Sequence, residues 1–142
     1  MYSKSINSRR GFSLIELMVV IVIIGLLAGT VSVGVRSYLI RSKQNVARME
    51  IAKISQAIEN FYLSLDRYPS NEEGLNVLTQ SSERFPEPLL DRLPNDPWRN
   101  PYEYLETGTA PAYQIVSYGA DGREGGEGAD KDLSSLELDE RN

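Results

Sequence analysis

The chain contains no cysteine and no histidine. Without cysteine there is no disulfide framework and no thiolate metal site. Without histidine the usual general base and metal ligand are missing, and with them every Ser-His-Asp or Cys-His constellation. An enzyme is still conceivable with carboxylates alone, but the expectation of one drops sharply. Each part of the chain is also short of charge of one sign. Residues 1–48 carry seven Lys and Arg against one Glu, whereas residues 49–142 carry eight basic and nineteen acidic residues, within a net charge of −5. An acidic body argues against nucleic-acid binding, because phosphate contacts need clustered Lys and Arg. The basic residues instead flank an apolar run, where they would meet lipid headgroups.

That run has no charge from Leu17 to Val35, nineteen residues, and is rich in Val, Ile and Leu with Gly25, Gly29 and Gly34 interspersed. At about 1.5 Å per residue it spans roughly 28 Å, close to a bilayer's hydrocarbon thickness. A membrane-spanning helix is therefore expected, with glycines that permit close helix packing. Lys4, Arg9 and Arg10 precede the span while Arg36, Arg41, Lys43 and Arg48 follow it, so the positive-inside rule gives no orientation. Ala28-Gly29-Thr30 weakly imitates a signal-peptide cleavage site, but the apolar run continues past it, so a signal anchor fits better.

Glu16 stands alone near the start of this run. On one reading it lies among the headgroups and suits the positive end of the helix dipole. On the other it is an ionisable group in an apolar span that needs a partner. A free amine made by cleavage just before Phe12 would serve, and in a stack of identical helices Glu16 of one chain would pair with its neighbour's amine.

Residues 9–17, R-R-G-F-S-L-I-E-L, resemble the prepilin signature of type IV pilins and type II secretion pseudopilins. The resemblance implies a basic leader, residues 1–11, removed by a prepilin peptidase between Gly11 and Phe12. It implies N-methylation of Phe12 and a filament-register role for Glu16. It also implies an N-terminus on the cytoplasmic side of the inner membrane and a body in the periplasm. The implied layout is leader 1–11, a transmembrane and filament-core helix half 12–35, and a periplasmic domain 36–142.

Beyond the span, Ala47, Ile51, Ile54, Ile58, Phe61 and Leu65 recur at spacings of four and three, one face of a helix. Arg48, Glu50, Lys53 and Glu59 lie off that stripe, and no proline occurs before Pro69. One long helix from about Phe12 to Leu65 is expected, its stripe packed on the domain's own core. Tyr68-Pro69-Ser70-Asn71 reads as a stop and turn. Ser70 or Asn71 is placed to cap a short helix through Glu72, Glu73, Leu75 and Leu78. The three prolines between Leu93 and Pro101 predict an irregular loop. Strands are expected at 102–105 and 112–118, joined as a hairpin. Residues 134–142 read as a frayed polar tail.

R-Y-P-S-N-E-E-G-L, L-P-N-D-P-W-R-N-P-Y and Y-G-A-D-G-R-E-G-G-E-G together resemble the major pseudopilins of type II secretion. The implied fold is α+β, a long N-terminal helix packed on a small antiparallel sheet. Trp98, alone in a proline-rich loop, is expected to be a packing anchor rather than a cargo contact.

Residues 118–133 set Asp121, Glu124, Glu127, Asp130 and Asp132 among five glycines. Such a loop is flexible and self-repelling. A calcium ion would resolve both problems, since it takes six to eight oxygen ligands in adaptable geometry. The loop is no EF-hand, because Arg123 and Gly125 fall where that motif needs side-chain ligands. From spacing alone, a calcium site and a solvated loop stand equal. The resemblance implies calcium, held by Asp121, Asp130, Asp132 and the Tyr118 backbone carbonyl, with Glu124 and Glu127 facing solvent.

The function so implied is a structural subunit of a periplasmic pseudopilus, a helical homopolymer that helps drive folded exoproteins through the outer membrane. Its implied partners are copies of itself, minor pseudopilins, prepilin peptidase, an inner-membrane assembly platform and membrane lipid. A type IV pilin for adhesion, motility or DNA uptake shares the leader and Glu16. A signal-anchored enzyme using Asp and Glu is the alternative of another class.

Overall fold

The computed structural model describes residues 11–139, with the side chains of residues 30–34 and 139 outside that description. The expected leader, apart from Gly11, lies outside the described residues. A long helix, α1, spans Leu14–Leu65, close to the expected bounds. Its residues fall into two compact units, Met1–Tyr38 and Leu39–Asn142.

In the first unit every described side chain from residue 11 to residue 29 is exposed. The apolar ones include Phe12, Leu14, Ile15, Leu17 and the run from Met18 to Ile24. Among the described residues no helix is long and apolar enough to cross a membrane. The expected span, 12–35, runs through residues 30–34, whose side chains lie outside the description.

In the second unit, α1 stops at Asp66, which takes a left-handed φ of 55° while its N–H donates to Tyr62 O at 2.7 Å. Asp tolerates that conformation, so the helix ends three residues before the proline expected to stop it. The apolar stripe is buried as its spacing requires: Ala47, Ile51, Ile54, Ile58 and Phe61 join Leu75, Leu78, Leu90, Tyr102, Ile115 and Leu133 in one core cluster. The short helix expected after Ser70 is a 3-10 helix, Gly74–Thr79. It buries Leu75 and Leu78, and the residues before it are held by a reciprocal Ser70–Glu73 capping pair.

Three antiparallel strands follow, β1 Glu103–Glu106, β2 Tyr113–Ser117 and β3 Leu133–Ser134, in the order β1-β2-β3. The register pairs Tyr104 with Ile115 and Ser117 with Leu133. Buried Ile115, Ser117 and Leu133 therefore share the inner face. Glu103, Leu105, Gln114, Val116 and Ser134 alternate with them and line the outer one.

The frayed tail expected from residue 134 is corrected over its described part. Ser134 belongs to β3. Ser135 is buried, its N–H donating to Ile115 O at 2.9 Å while its Oγ accepts from Ile115 N–H at 3.0 Å. A single helical turn, α2 Leu136–Asp139, then packs Leu138 against the core. Two strand residues leave almost no periodicity in the sequence, yet the open edge of β2 needs a partner for its backbone.

Candidate functional site

At the start of α1, Ser13 and Glu16 form a reciprocal cap. Ser13 N–H donates to Glu16 Oε2 at 3.2 Å, Glu16 N–H donates to Ser13 Oγ at 3.2 Å, and the Ser13 hydroxyl donates to the same carboxylate at 3.3 Å. This is a capping box, Ser at the cap and Glu three residues on, satisfying donors that the helix's first turn leaves free. Glu16 thus has a local task besides any between chains. The S-x-x-E spacing carried that signal, and only the dipole part of it entered the sequence reading. Gly11 and Phe12 lie outside the helix, exposed.

The C-terminal loop is laced together by its own backbone. Ala120 N–H donates to Ala129 O at 2.9 Å, joining the start of the loop to its end. Gly119 and Gly126 are required there. Each has positive φ, 64° and 105°, and a Cβ on either would lie 2.7 Å from the Asp130 backbone. From the helix, Gln44 Nε2 donates to Gly128 O at 2.7 Å.

The expected ligands fall out differently. Asp121 is exposed, with Oδ1 accepting from Arg123 N–H at 3.2 Å. Asp130 and Tyr118 are half-buried. The half-buried Asp132 accepts from Gly125 N–H at 2.8 Å through Oδ2, while its Oδ1 is buried without a hydrogen-bond partner. Among the described residues no group of three or more acidic side chains converges to hold a metal. Asp132 instead lines an open groove of about 280 Å³ on the outer sheet face with Glu103, Tyr118 and Glu124. A hydrogen bond to Glu103, with burial and the nearby carboxylates adding to it, pushes the Tyr118 phenol up to about 12. Glu124 and Glu127 are exposed, where they were expected.

A buried carboxylate oxygen without a donor is costly to keep. A hard cation favours such an oxygen, so Asp132 Oδ1 suits a calcium ion, while among the described residues the expected carboxylates do not converge on one point.

The proline-rich loop beside it holds a residue the sequence reading passed over. Asp96 is 3% exposed, and Oδ1 accepts from the N–H groups of Trp98 at 3.0 Å and Asn100 at 2.8 Å. Oδ2 accepts from the fully buried Ser117 hydroxyl at 2.7 Å. Asn100 in turn donates from Nδ2 to Gly119 O at 2.7 Å. Trp98 packs against the core with the Lys43 ammonium 5.8 Å from its ring centroid, the anchor role expected of it.

Comparison with known proteins shows the family and the fold. A family model described as "Type II secretion system (T2SS), protein G" matches residues 35–136, and one described as "Prokaryotic N-terminal methylation motif" matches residues 6–32. The chain is 41% identical to the type II secretion system core protein G of Pseudomonas aeruginosa, over 91% of this chain and 96% of that one. It is 34% identical to the protein of that name from Vibrio cholerae, over 95% and 97%. Among solved structures it resembles the major pseudopilin from the type 2 secretion system of enterohaemorrhagic Escherichia coli. That match has a TM-score of 0.57 and 27% identity, covering 69% of this chain and 90% of that one.

Proposed function

Because the chain belongs to the type II secretion system protein G family, we infer that it is a structural subunit of a secretion pseudopilus and not an enzyme. Copies of it assemble into a helical filament in the periplasm, and growth of that filament helps drive folded exoproteins outward. The relatives' shared name gives no support to the type IV pilin alternative.

The observation that carries this is the uncovered apolar run at the start of α1, where Phe12 is 84% exposed and Ile21 62%. A folded chain leaves so long a run bare only where lipid or other protein covers it. Before assembly the cover is the inner membrane, with 12–35 as the anchor. In the filament it is the same run from other copies. The match to the methylation motif over residues 6–32 supports removal of 1–11 by a prepilin peptidase and methylation of Phe12. The new amine at Phe12 would stand within one helical turn of Glu16, whose carboxylate then serves two partners, its own cap and a neighbour's cation. Minor pseudopilins and an inner-membrane assembly platform complete the set of partners.

Calcium would be held by Asp132, with Asp121, Asp130 and the Tyr118 carbonyl as the other expected ligands. It would supply fixed positive charge to an acidic loop. Asp132 brings the unspent oxygen, Gly125 N–H orients its other oxygen, and Gln44 steadies the Gly128 carbonyl.

The test is filament yield from the full chain in a host carrying the secretion apparatus. Glu16→Ala should leave processed protein in the membrane with few or no filaments. Wild-type filament yield from Glu16→Ala would remove the register role, and filaments from a chain lacking 1–35 would remove the core role of the apolar run.

A further inference from the structure

Asn100 sits between two parts of the domain that share no sequence. Its backbone is fixed by Asp96 at both ends: Asn100 N–H donates to Asp96 Oδ1 at 2.8 Å, and Asp96 N–H donates to Asn100 O at 2.8 Å. Asp96 is itself fixed to Ser117 on β2. The Asn100 side chain then reaches Gly119 O at 2.7 Å, two residues beyond Ser117. Ser117, Asp96, Asn100 and Gly119 therefore close a ring. The same amide packs where a Cβ on Gly122 would lie, 3.3 Å from Oδ1. Asn100 thus touches the glycines on both sides of Ala120-Asp121, the stretch that opens the acidic loop.

We propose that Asn100 is a positioning residue for the calcium loop, holding Gly119 to Gly122 in order before the ion arrives. This rests on the calcium reading above. A loop of glycines loses more freedom on ordering than any other sequence, and that loss opposes binding unless something else has already imposed the order. The Asp96 ring imposes it from the core side, and Gln44 from the helix. Asn100 touches no expected ligand atom, so its effect reaches the ion only through the backbone of the loop.

The experiment titrates calcium into the full-length chain in detergent, at a temperature well below unfolding, and compares the wild type with Asn100→Ala and Glu73→Gln. Losing one organising hydrogen bond should weaken calcium binding roughly fivefold to tenfold in Asn100→Ala. Glu73→Gln destabilises the domain far from the loop and should keep the wild-type Kd, which separates positioning from general weakening. In excess chelator, the Ala120 amide should exchange faster in Asn100→Ala than in the wild type. An unchanged Kd in Asn100→Ala, or unchanged Ala120 exchange, overturns the positioning role while leaving the calcium site standing. A wild-type chain that binds no calcium at millimolar concentration overturns the calcium reading and the positioning role together.

Discussion

Replacing Asp96 by alanine should cost far more stability than replacing it by asparagine, and the hydrogen bonds around it set both sizes. Its carboxylate takes the Trp98 and Asn100 N–H groups on one oxygen and the Ser117 hydroxyl on the other. Alanine removes both acceptor oxygens and leaves three donors unpaired. A buried donor left unmade costs about 1–3 kcal/mol. Trp98 and Asn100 are half-buried and Ser117 wholly buried, so the first two belong near the bottom of that range. A total of about 4 kcal/mol follows. Asparagine keeps one oxygen for the two N–H groups, and the Ser117 hydroxyl can turn to accept from its amide. What is lost is the difference between charged and neutral bonds, partly offset because no charge is then buried, a net of about 1 kcal/mol. The assay is urea unfolding of residues 36–142 in excess chelator, a fragment that contains the whole core cluster. With a slope of about 1.5 kcal/mol per molar urea, the midpoint should fall by nearly 3 M in Asp96→Ala and by less than 1 M in Asp96→Asn. Midpoints within 0.5 M of each other would refute the hydrogen-bond account of this residue.

The Arg67 guanidinium, hydrogen-bonded to Glu73, with the Ser70 N–H adding to it, holds the Glu73 carboxyl down to about 2. Its folded value lies below the unfolded one, so it contributes stability that is present above about pH 4.5 and lost as pH falls toward 2. Half of the Arg67 side chain is exposed and a third of Glu73, so solvent screening reduces this to about 1 kcal/mol. The melting points of wild type and Glu73→Gln should converge between pH 5 and pH 2, and a constant gap would show that the pair contributes nothing. Gly119→Ala forces a Cβ against the Asp130 backbone and should cost about 3 kcal/mol or more, whereas Gly108→Ala, with φ 69° and open space around it, should cost about 1 kcal/mol. Equal costs in a urea titration would mean the loop gives way. Calcium at a hundred times its Kd should stabilise the 36–142 fragment by about 2.7 kcal/mol, a thermal shift of roughly 10 °C. Asp132→Ala should abolish that shift, and a wild-type shift of zero would return the loop to solvent.

Periodic features were legible in the sequence and pairwise ones were not. The stripe from Ala47 to Phe61 needs only the 3.6-residue period and a core to face, so its burial was readable residue by residue. The β1–β2 hairpin was readable to within two residues for the same reason, alternating apolar residues about a Gly-Pro connection. Leu133-Ser134 was not, because a strand of two residues has no period and exists only where β2 offers an edge. Asp96 was invisible in another way. Its role depends on three donors, one of them Ser117, which only the fold brings to it. Glu16 was readable in part: the S-x-x-E spacing predicts its cap, while any partner on another chain lies beyond a single sequence.

The acidic loop shows why composition misleads where geometry decides. Glycine and acid together read as chain that cannot order itself, through entropy and through repulsion. The first objection is answered by the fold. Gly119 and Gly126 sit where no side chain fits, Ala120 is tied to Ala129, and Gln44 and Asn100 grip two of the loop's carbonyls. Glycine at these positions meets a steric demand rather than conferring looseness. The second objection stays, since Asp121, Glu124, Glu127, Asp130 and Asp132 crowd one short segment and the described side chains place a single amide, Gly125 N–H, on Asp132 and none on its second oxygen. Against these five carboxylates the loop itself brings only Arg123 and Lys131, and Lys131 pairs with Glu137 beyond it. On the calcium reading, a divalent cation would act less as the agent that folds the segment than as a counter-charge that lets an already folded segment persist. Chelation should accordingly raise amide exchange across 121–132 before it disturbs the core around Ile58 and Ile115, and simultaneous loss of both would contradict a loop that is organised in advance.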